Sequence, residues 1–369
     1  MTRLSAVRLA ALVRARAVSP VEVVEAHLRR VEEVNPRLNA VVTLSPDAVA
    51  RARALEAALA RGEDAGPLAG VPVTVKDTIE TVDLRTTFGS RVFVEHVPKR
   101  DAPAVARLRA AGAIILGKTN VSELALDYTA ENTVFGRTNN PFDDERTPGG
   151  SSGGCAAALS ACLTAGSLGS DLVGSLRIPA HFCGIAALRP TAGRVPGAGH
   201  LPPLSGPFAL GASLGPLARR VEDLALLFGV LTGEDLARQS EDTGDALLKD
   251  VAALLRGRRV AWYADDGATP VIPEIARAVE AAARALEDAG MSAVERRPPH
   301  VERATELWLG LFSYPTQEFL RRTYAGREED AGSVARLLLE RAERASAPTA
   351  NAYFELWDER DRLRGELLE

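Results

Sequence analysis

The chain has 369 residues, of which 46% are apolar and 25% charged, with a formal net charge of −5. This is the composition of an ordinary globular protein with a substantial core, and it excludes disordered and fibrous classes. The acidic balance, with no basic run interleaved with aromatics, argues against nucleic acid as the main partner.

The N-terminal stretch MTRLSAVRLAALVRARAV alternates apolar and Arg positions without a secretory cleavage site, and no apolar run reaches the roughly 18 residues that a membrane helix needs. The expectation is a cytoplasmic protein with no membrane partner. Cys155, Cys162 and Cys183 form no C-x-x-C pair. An odd set of thiols suits a reducing compartment, and the three read as small buried hydrophobes.

Ser19-Pro20-Val21-Glu22 is a capping box with proline at the first helical position. It predicts a helix through Val23, Val24, Leu28, Val31 and Val34 that stops at Asn35-Pro36. A second helix is expected over residues 46–61, and β-branched content predicts a buried strand over 72–78. Residues 101–112 read as a helix ending on glycine, and the apolar run 113–117 as a strand buried on both faces. An Ala-rich helix is expected over 155–165. The Gly/Pro-rich stretch 195–215 reads as a rim or lid. Residues 258–263, 273–289 and 291–295 read as strand, helix and strand, a βαβ unit. Arg336, Glu340, Arg341 and Glu343 mark charged helices toward the end. Strands alternating with helices point to an α/β fold with a largely parallel or mixed sheet.

The chemistry concentrates in residues 149–179, rich in Gly and Ser, where Ser151 and Ser175 stand out. A serine hydroxyl is a weak nucleophile until a base takes its proton. Lys76 lies in the apolar run GVPVTVKD, and a lysine desolvated by such neighbours loses proton affinity and can be that base. A Ser-His-Asp triad finds poor material. Of His27, His96, His181, His200 and His300, only His181 is near Ser175 in sequence, and it reads as a structural or pocket-wall residue. GKTN at 117–120 is not a phosphate-binding loop, because the GxxxxGK[ST] frame is absent.

Taken together, GVPVTVKD, GKTNVSELA, GGSSGG and GSDLVGSLRIPAHFCGIAALRPTAGRVP resemble the amidase signature family. The likeness runs from about residue 5 to 230, through GPLARRVEDLALL, and continues more weakly near 260–295. The resemblance implies a central mixed β-sheet covered by helices on both faces. It implies one domain over residues 1–369, with a catalytic core at about 65–230 and a βαβ and helical portion at about 255–369.

It also implies a Ser–cis-Ser–Lys triad. Ser175 matches the nucleophile, Ser151 the serine that follows a cis peptide bond and relays the proton, and Lys76 the base. Backbone N–H groups of Leu172, Val173, Gly174 and Ser175 match an oxyanion hole. Asp171 and Arg177 are expected to brace the nucleophile loop, with Arg177 as a clamp for a substrate carboxylate as the sharper alternative. Ser152 and Ser170 are expected to support the triad by hydrogen bonds. Asp127, Tyr128 and Thr129 match a segment that lines the substrate pocket, although their identities differ from the usual ones.

Two features depart from the family pattern. Val173 replaces a glycine, so either that position has ordinary β backbone or the pocket is reshaped, and its side chain is expected to narrow the acyl pocket. The chain also stops at residues 365–369 without the Asp-hydrophobic-Leu-Thr-Pro strand of relatives. It is therefore either a truncated version or an early end that a partner chain would cover.

The expected function is hydrolysis of a linear carboxamide to a carboxylate plus ammonia or an amine, through a serine acyl-enzyme. The expected partner is a small-molecule amide, with no nucleic acid contacted directly, no cofactor, no metal, and a homodimer as the candidate assembly. The alternatives are a glutaminase subunit of a tRNA-dependent amidotransferase, and a non-catalytic scaffold or binding subunit.

Overall fold

The computed structural model describes residues 1–233, 253–344 and 347–368. The chain divides into two compact units, one of Met1–Gln239 with Phe319–Arg341 and one of Ser240–Glu318 with Ala342–Glu369.

The first unit opens with helices α1 (Ala6–Arg14) and α2 (Pro20–Leu38), strand β1 (Val41–Leu44) and helix α3 (Ala48–Ala60). Ser19 caps α2 as its sequence predicts, with Val21 N–H donating to Ser19 Oγ at 3.0 Å and Ser19 N–H to Glu22 Oε2 at 3.0 Å. The helix does not stop at Asn35-Pro36. It runs on to Leu38 and ends at Asn39, which takes the left-handed conformation. Pro36 thus sits inside the last turn, where its missing N–H removes one rung of the ladder, that to the Glu32 carbonyl. Asn35 also ties off the turn, its Oδ1 accepting from the N–H groups of Ala40 and Val41 at 2.9 Å each.

The remaining elements of this unit are β2 (Pro72–Lys76), α4 (Pro103–Ala110), β3 (Ile114–Thr119), β4 (Glu131–Asn132), β5 (Gly136–Arg137), α5 (Gly153–Ser160), β6 (Gly166–Asp171), α6 (Arg177–Cys183), β7 (Ala186–Ala187), α7 (Pro207–Gly211), β8 (Ser213–Ala218) and α8 (Val221–Thr232). Six strands form one mixed sheet in the order β1-β3-β2-β6-β8-β7. β3, β2 and β6 run parallel, while β1, β8 and β7 pair antiparallel with their neighbours. Every residue of β2, β3, β6 and β8 is buried, as expected of strands covered on both faces.

Alternation along the strands sorts side chains between the two faces. Val73, Val75 and Ile115 pack with Leu9 of α1, Leu108 of α4 and Leu227 of α8 in the largest core cluster. Ile114 and Leu116 join Val24 of α2 and Ala52 of α3 in another. The arrangement is the α/β fold with a central mixed sheet that the sequence predicts. The Ala-rich helix α5 is shorter than expected, since Cys162 adopts a positive φ of 60° and the chain turns into β6. Strand β8 begins inside the stretch read as a rim.

In the second unit, β9 (Arg259–Trp262), α9 (Pro273–Asp288) and β10 (Ser292–Glu295) form the expected βαβ motif. The two strands pair in parallel, Arg259 with Ser292 through Trp262 with Glu295, as a separate two-stranded sheet. Helices α10 (Ala304–Tyr324), α11 (Ser333–Arg344) and α12 (Ala350–Leu368) close the described chain. Among the described residues no helix is long and apolar enough to cross a membrane.

Candidate active site

Lys76 is the last residue of β2 and Asp171 the last of β6, its parallel neighbour. The carboxyl ends of adjacent parallel strands are where α/β sheets open a crevice, because the chain leaves them toward opposite helices. Ser151 and Ser152 precede α5, and Ser175 precedes α6. The two serine segments are tied together by Ser152 N–H donating to the Ser175 carbonyl at 3.2 Å.

Lys76 Nζ lies 2.7 Å from Ser151 Oγ, 3.0 Å from Ser170 Oγ and 3.5 Å from the Ser170 carbonyl. The lysine and Ser151 are fully buried, and Ser175 is 7% exposed. Among the described residues no carboxylate bonds to Lys76 Nζ. Burial therefore governs, lowering the Lys76 pKa to about 7, with the negative charge of Asp171 among the influences that oppose it. A lysine poised near neutrality is what proton transfer at neutral pH requires.

The peptide bond Gly150–Ser151 is cis. Thr129 backs directly onto it, since a Cβ at Gly150 would sit 1.9 Å from the Thr129 carbonyl oxygen. Glycine is needed there because two backbones meet. Asp127 is used locally, accepting from Tyr128 N–H at 2.7 Å and from Thr129 Oγ1 at 2.9 Å. Tyr128 is 45% exposed and donates its hydroxyl to the Val173 carbonyl at 3.3 Å. The segment 127–129 thus borders the loop before Ser175.

That loop, Leu172 to Leu176, is held by Asp171. Its Oδ1 accepts from Gly174 N–H at 2.7 Å and its Oδ2 from Leu176 N–H at 3.0 Å. Arg177 completes the brace with Nε 3.1 Å from Oδ2 and NH2 3.0 Å from Oδ1. Burial would raise the Asp171 pKa, but these donors outweigh it and hold the carboxyl below its ordinary value. Gly174 N–H is thereby engaged in the described conformation, and Gly174 itself has φ of +121°. Val173 keeps a negative φ, so its branched side chain is accommodated on ordinary backbone. Ser152 Oγ donates to the Ser170 carbonyl at 3.2 Å.

Two further buried side chains lie near Lys76, neither of them given a role by the sequence pattern. Lys118, the lysine of GKTN, donates to the Ile79 carbonyl and to Thr81 Oγ1 and Thr86 Oγ1, each threonine at 3.0 Å. It pins the loop that follows β2, and burial lowers its pKa to about 8. His200 lies in the Gly/Pro-rich stretch 195–215 and places Nε2 2.8 Å from Ser170 Oγ. Sequence proximity favours His181 instead, which is exposed and sits against Phe182 at 5.8 Å between ring centroids. No local pattern marks His200, because a lone backbone bridge to Ile79 brings it in.

Comparison with known proteins returns one family. The profile named Amidase matches residues 22–361. Similar curated proteins include a glutamyl-tRNA(Gln) amidotransferase subunit of Carboxydothermus hydrogenoformans, 39% identical over 309 residues, covering 81% of this chain and 61% of that protein. The like-named protein of Thermus thermophilus is 42% identical over 291 residues, covering 78% of this chain and 59% of its own length. This chain thus spans about three fifths of the length of these relatives.

Among solved structures, an amidase superposes with a TM-score of 0.84 at 30% identity, covering 99% of this chain and 79% of that one. The peptide amidase of Stenotrophomonas maltophilia gives 0.83 at 27% identity, with 98% and 79% covered. Fatty acid amide hydrolase gives 0.85 at 26% identity, with 99% and 65% covered.

The names of the curated relatives correct one expectation. A free small-molecule amide as partner, without nucleic acid and with a homodimer as assembly, is overturned by their description as subunits of an enzyme for glutamyl-tRNA(Gln). Net charge could not reveal this, since it reports a whole-chain average and not the assembly in which a protein works.

Proposed function

The chain belongs to the amidase signature family, and from that premise we propose that it is the amide-hydrolysing subunit of a tRNA-dependent amidotransferase. Its substrate would be the side-chain carboxamide of glutamine, and its product ammonia for an acceptor held by partner subunits. The names of the curated relatives support this choice over a free-standing hydrolase.

The observation that carries the chemistry is the 2.7 Å contact between Lys76 Nζ and Ser151 Oγ in a fully buried setting. In this reading Ser175 Oγ attacks the carboxamide carbon while its proton passes to Ser151, whose own proton passes to uncharged Lys76. The carbonyl oxygen becomes an oxyanion facing backbone N–H groups of the 172–175 loop other than that of Gly174, which the Asp171 carboxylate holds. Collapse breaks the C–N bond, and the proton returns through Ser151 to the leaving nitrogen as ammonia departs. Water then adds to the Ser175 ester by the same relay and releases the carboxylate.

The test is glutamine-dependent conversion of glutamyl-tRNA(Gln) by the chain mixed with candidate partner subunits and a nucleoside triphosphate to activate the acceptor carboxylate. Conversion that disappears with Ser175→Ala supports the reading. Conversion that survives Ser175→Ala, or supply of nitrogen only by free ammonia, refutes it.

A further inference from the structure

His200 is clamped to the chain that follows Lys76. Glu80 N–H donates to the Gly199 carbonyl at 2.8 Å and Leu201 N–H to the Thr78 carbonyl at 3.0 Å, one rung on each side of the Ile79–His200 bridge. The imidazole is 7% exposed and both of its nitrogens are engaged. Nδ1 lies 2.8 Å from the Pro202 carbonyl oxygen, and Nε2 lies 2.8 Å from Ser170 Oγ.

A carbonyl oxygen only accepts, so a neutral ring must carry its hydrogen on Nδ1. Nε2 is then a bare lone pair, and the Ser170 hydroxyl must donate to it. With its one hydrogen so committed, Ser170 Oγ presents only lone pairs to Lys76 Nζ, 3.0 Å away. An uncharged amine has two hydrogens and one lone pair. Its hydrogens find acceptors at Ser170 Oγ and the Ser170 carbonyl, which leaves the lone pair for the Ser151 hydroxyl at 2.7 Å.

We propose that His200 is a positioning residue that fixes the direction of the hydrogen-bond chain His200–Ser170–Lys76–Ser151, so that the lysine lone pair always faces Ser151. The proposal rests on the triad reading above and adds to it a residue that touches no reacting atom. The ring stays neutral because burial, and then the neighbouring Lys76 ammonium, lower its pKa to about 3. The other ionisable groups facing the chain are Lys118 on β3, Cys155 on α5 and Asp171 at the end of β6.

The tautomer can be read directly in the full chain by nitrogen NMR of labelled histidine, with the His200 signal assigned from His200→Asn. A protonated Nδ1 and bare Nε2 from pH 6 to about 9 is the expected result. A hydrogen on Nε2 overturns the proposal, and this measurement needs no variant to be active.

Kinetics supply the second arm, read as the rate at which a fluorophosphonate labels Ser175. His200→Asn keeps a donor for the Pro202 carbonyl but removes the acceptor for Ser170. Its plateau rate should fall on the order of 100-fold, as for a misaligned reacting group. Its pH midpoint should move down, because a freed Ser170 hydroxyl can donate to the uncharged amine and favour it. His200→Gln, whose amide oxygen can reach the Nε2 position, should recover about tenfold of that loss. Wild-type labelling by His200→Asn, or a fall with the midpoint moving up, refutes the proposal. Lys76→Ala that labels like wild type would instead refute the triad reading.

Discussion

Arg177 grips Asp171 fork to fork, with Nε and NH2 3.1 and 3.0 Å from the two carboxylate oxygens, while the Asp171 side chain is fully buried and the Arg177 side chain 56% exposed. The same carboxylate takes the N–H groups of Gly174 and Leu176 on either side of Ser175. One acidic side chain thus sets the shape of the loop that carries Ser175, and the arginine shields its charge from the solvent side.

Asp171→Asn keeps the size but loses two of these charge-assisted bonds. It should cost about 2 kcal/mol of stability, discounted because Arg177 is half in water. Labelling of Ser175 should slow on the order of 100-fold through a loosened loop. Thermal melting and phosphonate labelling measure the two effects, and an unchanged labelling rate would show that the brace is dispensable.

Ser175→Ala removes a hydroxyl from a site that stays otherwise intact. Stability should remain within about 0.5 kcal/mol of wild type, while amide hydrolysis falls by at least about 10⁴-fold. Ser151→Ala should lose about 10²- to 10⁴-fold, the usual range for a lost proton-transfer group. Residual activity of Ser175→Ala equal to that of the parent would remove Ser175 from the mechanism.

Burial brings Lys76 to a pKa of about 7, so its amine is uncharged above that pH and protonated below it. Labelling of Ser175 should therefore rise with pH through a single midpoint near 7 and level off. A rate that is flat between about pH 5.5 and 9 contradicts a buried lysine base.

The same burial has a consequence for stability. An unfolded lysine titrates near 10.4, so between about pH 7 and 10 the unfolded chain holds a proton that the folded chain lacks. Stability then rises with pH across that window, and the cost of the buried amine is fully present below pH 7. Lys76→Met should abolish activity yet raise stability at pH 7 by about 1–2 kcal/mol. Denaturant titrations at pH 7 and 10 check this, with the gain expected to shrink at the higher pH.

Gly154 lies where α5 meets the Asn120 backbone, and a Cβ there would sit 2.4 Å from Asn120 N and 2.5 Å from its carbonyl oxygen. Gly154→Ala should cost about 2–3 kcal/mol, since backbone cannot step aside as a flexible side chain can. A shift in the urea midpoint at constant slope is the expected signature.

Capping, β-branched content and period made α2, α3, β2, α4 and β3 legible in the sequence, because those signals act within a few residues. The end of α2 was not legible, because Pro36 reads as a stop while the helix runs on to Leu38 and is tied off beyond it by Asn35 accepting from Ala40 and Val41. Strand β8 was hidden because its residues extend to pair with β6 and β7, partners distant in the chain, under a Gly/Pro-rich composition that reads as loop.

For the candidate site, the serines and the apolar run around Lys76 were visible as residue types, and the order of the motifs pointed to one family. Whether an amine so placed is a base depends on what surrounds it in space. Only the parallel pairing of β2 with β6, the approach of α5 and the bridge from Ile79 to His200 decided that Lys76 is dry, faces Ser151 and is backed by Ser170. Proton affinity and hydrogen-bond direction are set by neighbours distant in the chain, so the sequence can name the groups but not the field in which they titrate.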